Sequence, residues 1–124
     1  SGAIVVADTL CFGARSYSDL TDEKDDPVSA LSRRYLSNSL CPRMFGYYRN
    51  RLSHILDKAK KARVDGVILQ NIRFCDLHGS ENGIFERDLE RRGIPCMRME
   101  REYGPLVETG RIRMRLDAFM ERIS

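Results

Sequence analysis

The sequence predicts an α/β domain in which a small parallel sheet is flanked by helices on both faces, a three-layer Rossmann-like or flavodoxin-like arrangement. Three observations predict it. Short apolar, β-rich runs occur at Ala3–Ala7, Val67–Ile72 and Ile94–Met99. Between them, apolar residues recur at helical spacing. The stretch Val64-Asp65-Gly66-Val67-Ile68 reads as a helix-to-parallel-strand junction of α/β proteins. The resulting order β, α, α, β, α, β, α implies parallel strands joined by right-handed crossovers.

Each element has a local reason. Ala3–Ala7 reads as a central strand with polar groups, Asp8 and Thr9, at its carboxyl end. The segment from Cys11 to Asp26, with Gly13, two serines and an acidic run, reads as a loop or a short irregular helix. Asp26-Pro27 supplies an N-cap and a first-turn residue, and Val28, Leu31, Tyr35 and Leu36 follow at helical spacing. Ser37 to Pro42 breaks that helix. From Met44 to Arg63, Phe45, Tyr48, Leu52, Ile55, Leu56, Ala59 and Ala62 form one stripe of about five turns. Lys58, Lys60, Lys61 and Arg63 close it where the helix dipole favours cations.

Asp65-Gly66 turns the chain into the strand Val67–Ile72. The loop Arg73–Gly79 follows, and Ser80 or Asn82 is expected to cap a helix that turns Ile84, Phe85 and Leu89 inward and stops at Gly93. After the third strand, Glu100 to Thr109 reads as a loop around Gly104-Pro105. The last helix carries Ile112, Leu116, Phe119, Met120 and Ile123 on one stripe and its arginines outward.

Composition narrows the function classes. The 124 residues suffice for one domain, here taken as 1–124, and not for two cores. With 42% apolar and 31% charged residues, a globular fold is expected rather than a disordered tail. No apolar run approaches the roughly 20 residues of a bilayer span, and no basic-then-apolar leader is readable. The expectation is a cytoplasmic protein without membrane association. Because the sequence opens within a strand, it is also expected to be a fragment of a larger multidomain polypeptide. Lys and Arg exceed Asp and Glu by 21 to 18. The basic residues are dispersed among acids rather than clustered with aromatics, so nucleic acid is not an expected partner.

Cys11, Cys41, Cys75 and Cys96 form no C-x-x-C pair, which leaves no zinc-ribbon or thioredoxin-type motif, and free thiols are expected. Ligands of open parallel sheets bind outside the carboxyl ends of the strands. The end richest in reactive groups is Asn71-Ile72-Arg73-Phe74-Cys75-Asp76-Leu77-His78. Cys75 there has Arg73 and a helix N-terminus beside it, the setting in which cysteines ligate metals and attack electrophiles. Asp76 and His78 are candidates for acid and base work, although spacing alone assigns no triad. Gly79-Ser80-Glu81-Asn82-Gly83 reads as a capping turn, since it lacks the lysine of phosphate loops.

These residues carry a resemblance. Val64–Ile68, Arg73-Phe74-Cys75-Asp76, Arg92-Gly93-Ile94-Pro95 and the ending Gly110–Ile123 resemble the C-terminal domain of the 2-hydroxyacyl-CoA dehydratase and benzoyl-CoA reductase family. Asp8-Thr9-Leu10-Cys11-Phe12-Gly13-Ala14-Arg15 is similar to the family's acidic-Cys-Gly-Arg segment. The run Leu77–Asn82 after Phe-Cys-Asp looks closer to benzoyl-CoA reductase subunits. The resemblance implies that Cys75 is one ligand of a [4Fe-4S] cluster whose other cysteines come from an upstream domain, with Arg73, Asp76 and His78 around it. It implies a related iron–sulfur subunit and an ATP-dependent iron–sulfur activator as partners, an acyl-CoA thioester as substrate, and one-electron chemistry at low potential. The isolated segment is expected to be inactive and iron-free. The alternative is a subunit-docking or scaffolding domain of the same family. A flavodoxin-like regulatory domain ranks third, for want of a phosphate loop or an acidic phospho-acceptor cluster.

Overall fold

Two strands pair in parallel at the centre of the fold. The structure is a computed structural model that describes residues 2–37, 40–43, 46–104 and 109–124. Strand β1 (Val67–Ile72) pairs with β2 (Cys96–Arg101), Val67 opposite Cys96 and Ile72 opposite Arg101, and the helix α4 (Asp76–Glu90) makes the crossover. Alternate residues of a strand face opposite sides. Val67, Leu69 and Asn71 therefore share a face with Cys96, Arg98 and Glu100.

On that face Leu69 and Cys96 meet Leu52 of α3 (Tyr48–Ala62) and Phe85 and Leu89 of α4, with Leu89 fully enclosed. Tyr48, Ile55, Leu56, Val67 and Ile94 pack around this cluster. The Tyr48 ring lies 4.8 Å from that of Phe85, and its hydroxyl donates to Asp88 at 2.9 Å. An aromatic body is thus buried while its polar end keeps a partner. Burial, and then the Asp88 carboxylate, push the Tyr48 phenol up to about 12.

Helix α5 (Thr109–Ile123) covers the outer edge of β2. Arg115 donates to the Arg98 carbonyl at 2.5 Å and Arg122 to that of Cys96 at 3.5 Å, so two edge acceptors outside the β1 ladder are satisfied. Arg122 also pairs with Glu90 at 2.6 Å. Phe119, buried, sits where a Cβ on Gly66 would lie 2.6 Å from its ring. That close approach is why the junction before β1 carries glycine.

Several sequence expectations need correction. Ala3–Ala7 forms no strand: Ile4 and Val5 are each 84% exposed, and among the described residues the sheet has two strands rather than three. A β-rich run gains little until a neighbour's ladder and a covering face are both present, and no described residue supplies them. The three-layer arrangement is accordingly reduced to a two-stranded sheet with its helices. Helix α2 (Pro27–Ser37) starts where expected, with Asp26 accepting from the Ser29 amide at 3.0 Å. Only Ala30 of it is buried, however, and Val28, Leu31, Tyr35 and Leu36 face outward.

Helix α4 begins at Asp76 rather than after a cap at Ser80 or Asn82. Asp76 in the first turn suits the helix dipole, and Asn82 lies inside the helix, buried and donating to Asn71 at 3.0 Å. The short helix α1 (Ala14–Tyr17) forms in the segment read as loop or irregular helix. The expected start at Met44, the place of Phe45 in its stripe, the break at Asn38 and Ser39, and Pro105 lie outside the described residues. Among the described residues no helix is long and apolar enough to cross a membrane.

Both junctions into the strands use one device. At the end of α4, Gly93 has φ +76° while Ile94 N–H donates to Leu89 C=O and Gly93 N–H to Glu90 C=O. At the end of α3, Val64 N–H reaches Ala59 C=O and Arg63 N–H reaches Lys60 C=O, with Arg63 left-handed at φ 49°, ψ 52°. This is the Schellman pattern, in which glycine is the usual left-handed residue. A non-glycine residue there carries strain of about 1–2 kcal/mol. Arg63→Gly is therefore expected to raise unfolding stability by roughly 1 kcal/mol, seen as a higher urea midpoint at unchanged slope. A lowered midpoint would show that the arginine side chain contributes more than its backbone costs.

Candidate functional site

The carboxyl end of β1 is closed by a tight turn. Cys75 N–H donates to Ile72 C=O at 2.9 Å, which places Arg73 and Phe74 at the turn's centre. Phe74 has φ 64° and its ring is 87% exposed. Left-handed backbone at a bulky residue is costly, and such strain gathers at functional positions. The turn delivers Cys75 to the N-cap position of α4, where its carbonyl accepts from Gly79 N–H at 2.8 Å. Beside it opens a cavity of about 330 Å³ lined by Asn71, Phe74, Cys75, Asp76, Gly79, Ser80 and Glu100.

Of the residues singled out in the sequence, Cys75 and Asp76 share this cavity. Arg73 turns elsewhere: it pairs with Glu102 at 2.6 Å, lies 3.9 Å from Glu100, and stacks 5.4 Å from the Phe74 ring centroid. His78 lies one turn into α4, half-buried, and its Nε2 is 3.8 Å from the Cys11 sulfur, a neighbour 67 positions away in sequence.

The segment that brings Cys11 there is built on one carboxylate. Asp8 accepts from Leu10 N–H at 3.0 Å and from Ala14 N–H at 2.9 Å, bonds that hold it below the usual carboxylate range. A Cβ on Gly13 would fall 2.1 Å from that carboxylate oxygen, so glycine is required by the close approach. Lys58 of α3 donates to the Asp8 carbonyl at 2.6 Å and anchors the loop. Arg15 then folds back, one guanidinium nitrogen donating to the Cys11 sulfur and the other to Leu40 C=O at 3.4 Å. Nothing in the sequence pairs Cys11 with His78, because a contact between a loop and a helix 67 positions away leaves no spacing signal.

A buried ion pair supports both regions. Arg51 of α3 is 6% exposed and holds both Glu81 carboxylate oxygens, its Nε at 3.0 Å, while another nitrogen donates to Cys41 C=O at 3.2 Å. Burial opposes the Cys41 thiolate, yet hydrogen bonds from Arg43 and the charge of Arg15 bring its pKa below the ordinary thiol value. Cys96, in the core, is pushed up to about 12 by burial and then by Glu90 and Glu86.

The four cysteines are unpaired thiols. Among the described residues, no three His, Cys, Asp or Glu side chains stand together so as to hold a metal ion. Cys75 fits as one thiol donor at a cavity wall. A multi-ligand iron centre is not completed by the described residues.

The family model described as 2-hydroxyglutaryl-CoA dehydratase, D-component, matches residues 1–123. Over 96 residues, 77% of this chain, the sequence is 28% identical to the (R)-phenyllactyl-CoA dehydratase beta subunit of Clostridium sporogenes. That stretch is 25% of the relative, so the chain spans about a quarter of the length of the curated relative it matches.

Both histidines disfavour their proton in the fold. Burial and then Lys58 lower His54, whose Nε2 is buried without a hydrogen-bond partner among the described residues, and burial and then Arg15 lower His78. The unfolded chain takes up these protons near 6.5 and the folded chain only at lower pH. Between those values the unfolded state binds more protons, so stability falls as pH drops through 6.5. Urea unfolding between about pH 7.5 and pH 5 is expected to show this acid limb, and replacing both histidines with glutamine to flatten it. An identical limb in the double variant would contradict the assignment.

Proposed function

The chain belongs to the 2-hydroxyglutaryl-CoA dehydratase, D-component family, and from that premise we propose that it is the C-terminal part of a subunit of a 2-hydroxyacyl-CoA dehydratase-like enzyme. The observation that carries the proposal is the placement of Cys75. The strained Phe74 turn sets its thiol at the N-terminus of α4 and at the wall of an open cavity, with Asp76 beside it. Here a thiol can be shared with donors from another domain.

In this reading Cys75 contributes one thiolate to a [4Fe-4S] cluster completed by cysteines elsewhere in the subunit, and the cluster supplies low-potential one-electron reduction of an acyl-CoA thioester. The chain's own residues have narrower tasks. The turn fixes the direction of the thiol. Asp76 and Glu100 set the charge at the cavity wall, Arg73 acts on it through Glu100, and the exposed Phe74 ring offers an apolar cover. Such surroundings tune a metal centre through hydrogen bonding and solvent access.

A related iron–sulfur subunit and an ATP-dependent iron–sulfur activator would be its partners. A second reading, reduction of an aromatic acyl-CoA by a benzoyl-CoA reductase-like enzyme, is favoured by the run Leu77–Asn82 after Phe-Cys-Asp. The dehydratase reading takes precedence because the family match and the relative both carry that name.

The test is iron content under anaerobic conditions. The 124-residue chain is expected to purify without stoichiometric iron, while the complete subunit carries about four irons and loses cluster absorbance in Cys75→Ser. A Cys75→Ser subunit with unchanged iron would overturn the proposal.

A further inference from the structure

The contact between Cys11 and His78 has no part in the role assigned to Cys75. The two residues come from segments 67 positions apart, and the sulfur lies 3.8 Å from imidazole Nε2. Arg15 fixes the sulfur from the other side by donating to it. The loop holding Cys11 is itself fixed by the Asp8 carboxylate on the Leu10 and Ala14 amides, by Gly13 and by Lys58. Cys11 is nonetheless exposed. A thiol in reach of a base, held by a third group and open to solvent, is the arrangement of an activated nucleophile.

We propose that Cys11 and His78 form a thiol–imidazole pair that captures acyl groups from acyl thioesters by exchange onto the Cys11 sulfur. The substrate class rests on the acyl-CoA reading above and on two flanking cations. Arg15 donates to the Cys11 sulfur, and Arg43, which donates to the Cys41 sulfur at 3.4 Å, also interacts electrostatically with Cys11, so two guanidiniums near the thiol suit the phosphates of a coenzyme A thioester.

The step conserves atoms and electrons. His78 Nε2 takes the Cys11 proton as the sulfur attacks the thioester carbonyl carbon. A new carbon–sulfur bond forms to Cys11, the bond to the coenzyme sulfur breaks, and the proton passes from His78 to the departing thiolate. An acyl-cysteine and free coenzyme thiol result. Burial, followed by the charge of Arg15, favours the neutral imidazole, the form that can take that proton, and returns it readily to the leaving thiolate.

The experiment uses the 124-residue chain and acetyl-CoA, followed by intact mass, peptide mapping in acid and release of coenzyme thiol. One acetyl group is expected on Cys11, reversed by added coenzyme A, absent in Cys11→Ser and slowed by about tenfold or more in His78→Gln of matched circular dichroism. Cys75→Ser should leave capture unchanged, which separates this proposal from the iron-ligand assignment. Absence of an adduct, acetylation of Cys41 or Cys75 as fast as of Cys11, or an unaltered rate in His78→Gln would overturn it.

Discussion

A buried guanidinium organises this protein. Arg51 leaves the inner face of α3 and gives its nitrogens to both oxygens of Glu81 on α4 and to the carbonyl of Cys41. The segment at Cys41, helix α3 and helix α4 are thereby tied at one point. A buried charge is tolerated only when its partner is in place, because a lone charge in that position costs several kcal/mol. Arg51 thus demands that α4 arrive with Glu81 in one position. That demand fixes the first turns of the helix, where Cys75, Asp76 and His78 lie. The Cys41 carbonyl brings in the segment that Arg15 grips through Leu40.

Around this point the site divides in two. At the end of β1 a strained turn sets Cys75 at the wall of an open cavity, and its charged neighbours occupy one another: Arg73 is engaged by Glu102 and stacked on Phe74. On the other side of the α4 N-terminus, the Asp8 loop delivers Cys11 to His78. Each half rests on a short-range device, a turn with positive φ in one case and a carboxylate clamp over a glycine in the other. Sheet and core supply only the platform, since parallel strands place their loops at one end.

What could be read from sequence follows from which forces are local. The stripe Tyr48, Leu52, Ile55, Leu56 and Ala59 and the apolar run Val67–Leu69 announced α3 and β1, because periodic burial is written in residue spacing. Gly93 announced the end of α4 because the left-handed residue that closes a helix is usually glycine. The run Ala3–Ala7 misled because strand formation depends on a neighbour that propensity does not contain, and the α2 stripe misled because periodicity does not say what will cover it. Ser80 and Asn82 looked like caps until tertiary contacts prevailed: Asn82 is buried against Asn71, and the helix begins a full turn earlier at Asp76. Cys75 was legible from its place after a strand. The meeting of Cys11 with His78 and the grip of Arg51 on Glu81 were not, since both are contacts between elements.

The Arg51–Glu81 pair is measured most directly by a double-mutant cycle. Unfolding free energies would be compared for the parent chain, Arg51→Met, Glu81→Leu and the double variant. A buried pair predicts that each single change destabilises by about 3 kcal/mol and that the double variant recovers much of the loss, a coupling near 2 kcal/mol or more. Additive effects within about 0.5 kcal/mol would show an exposed, dispensable contact and contradict the account.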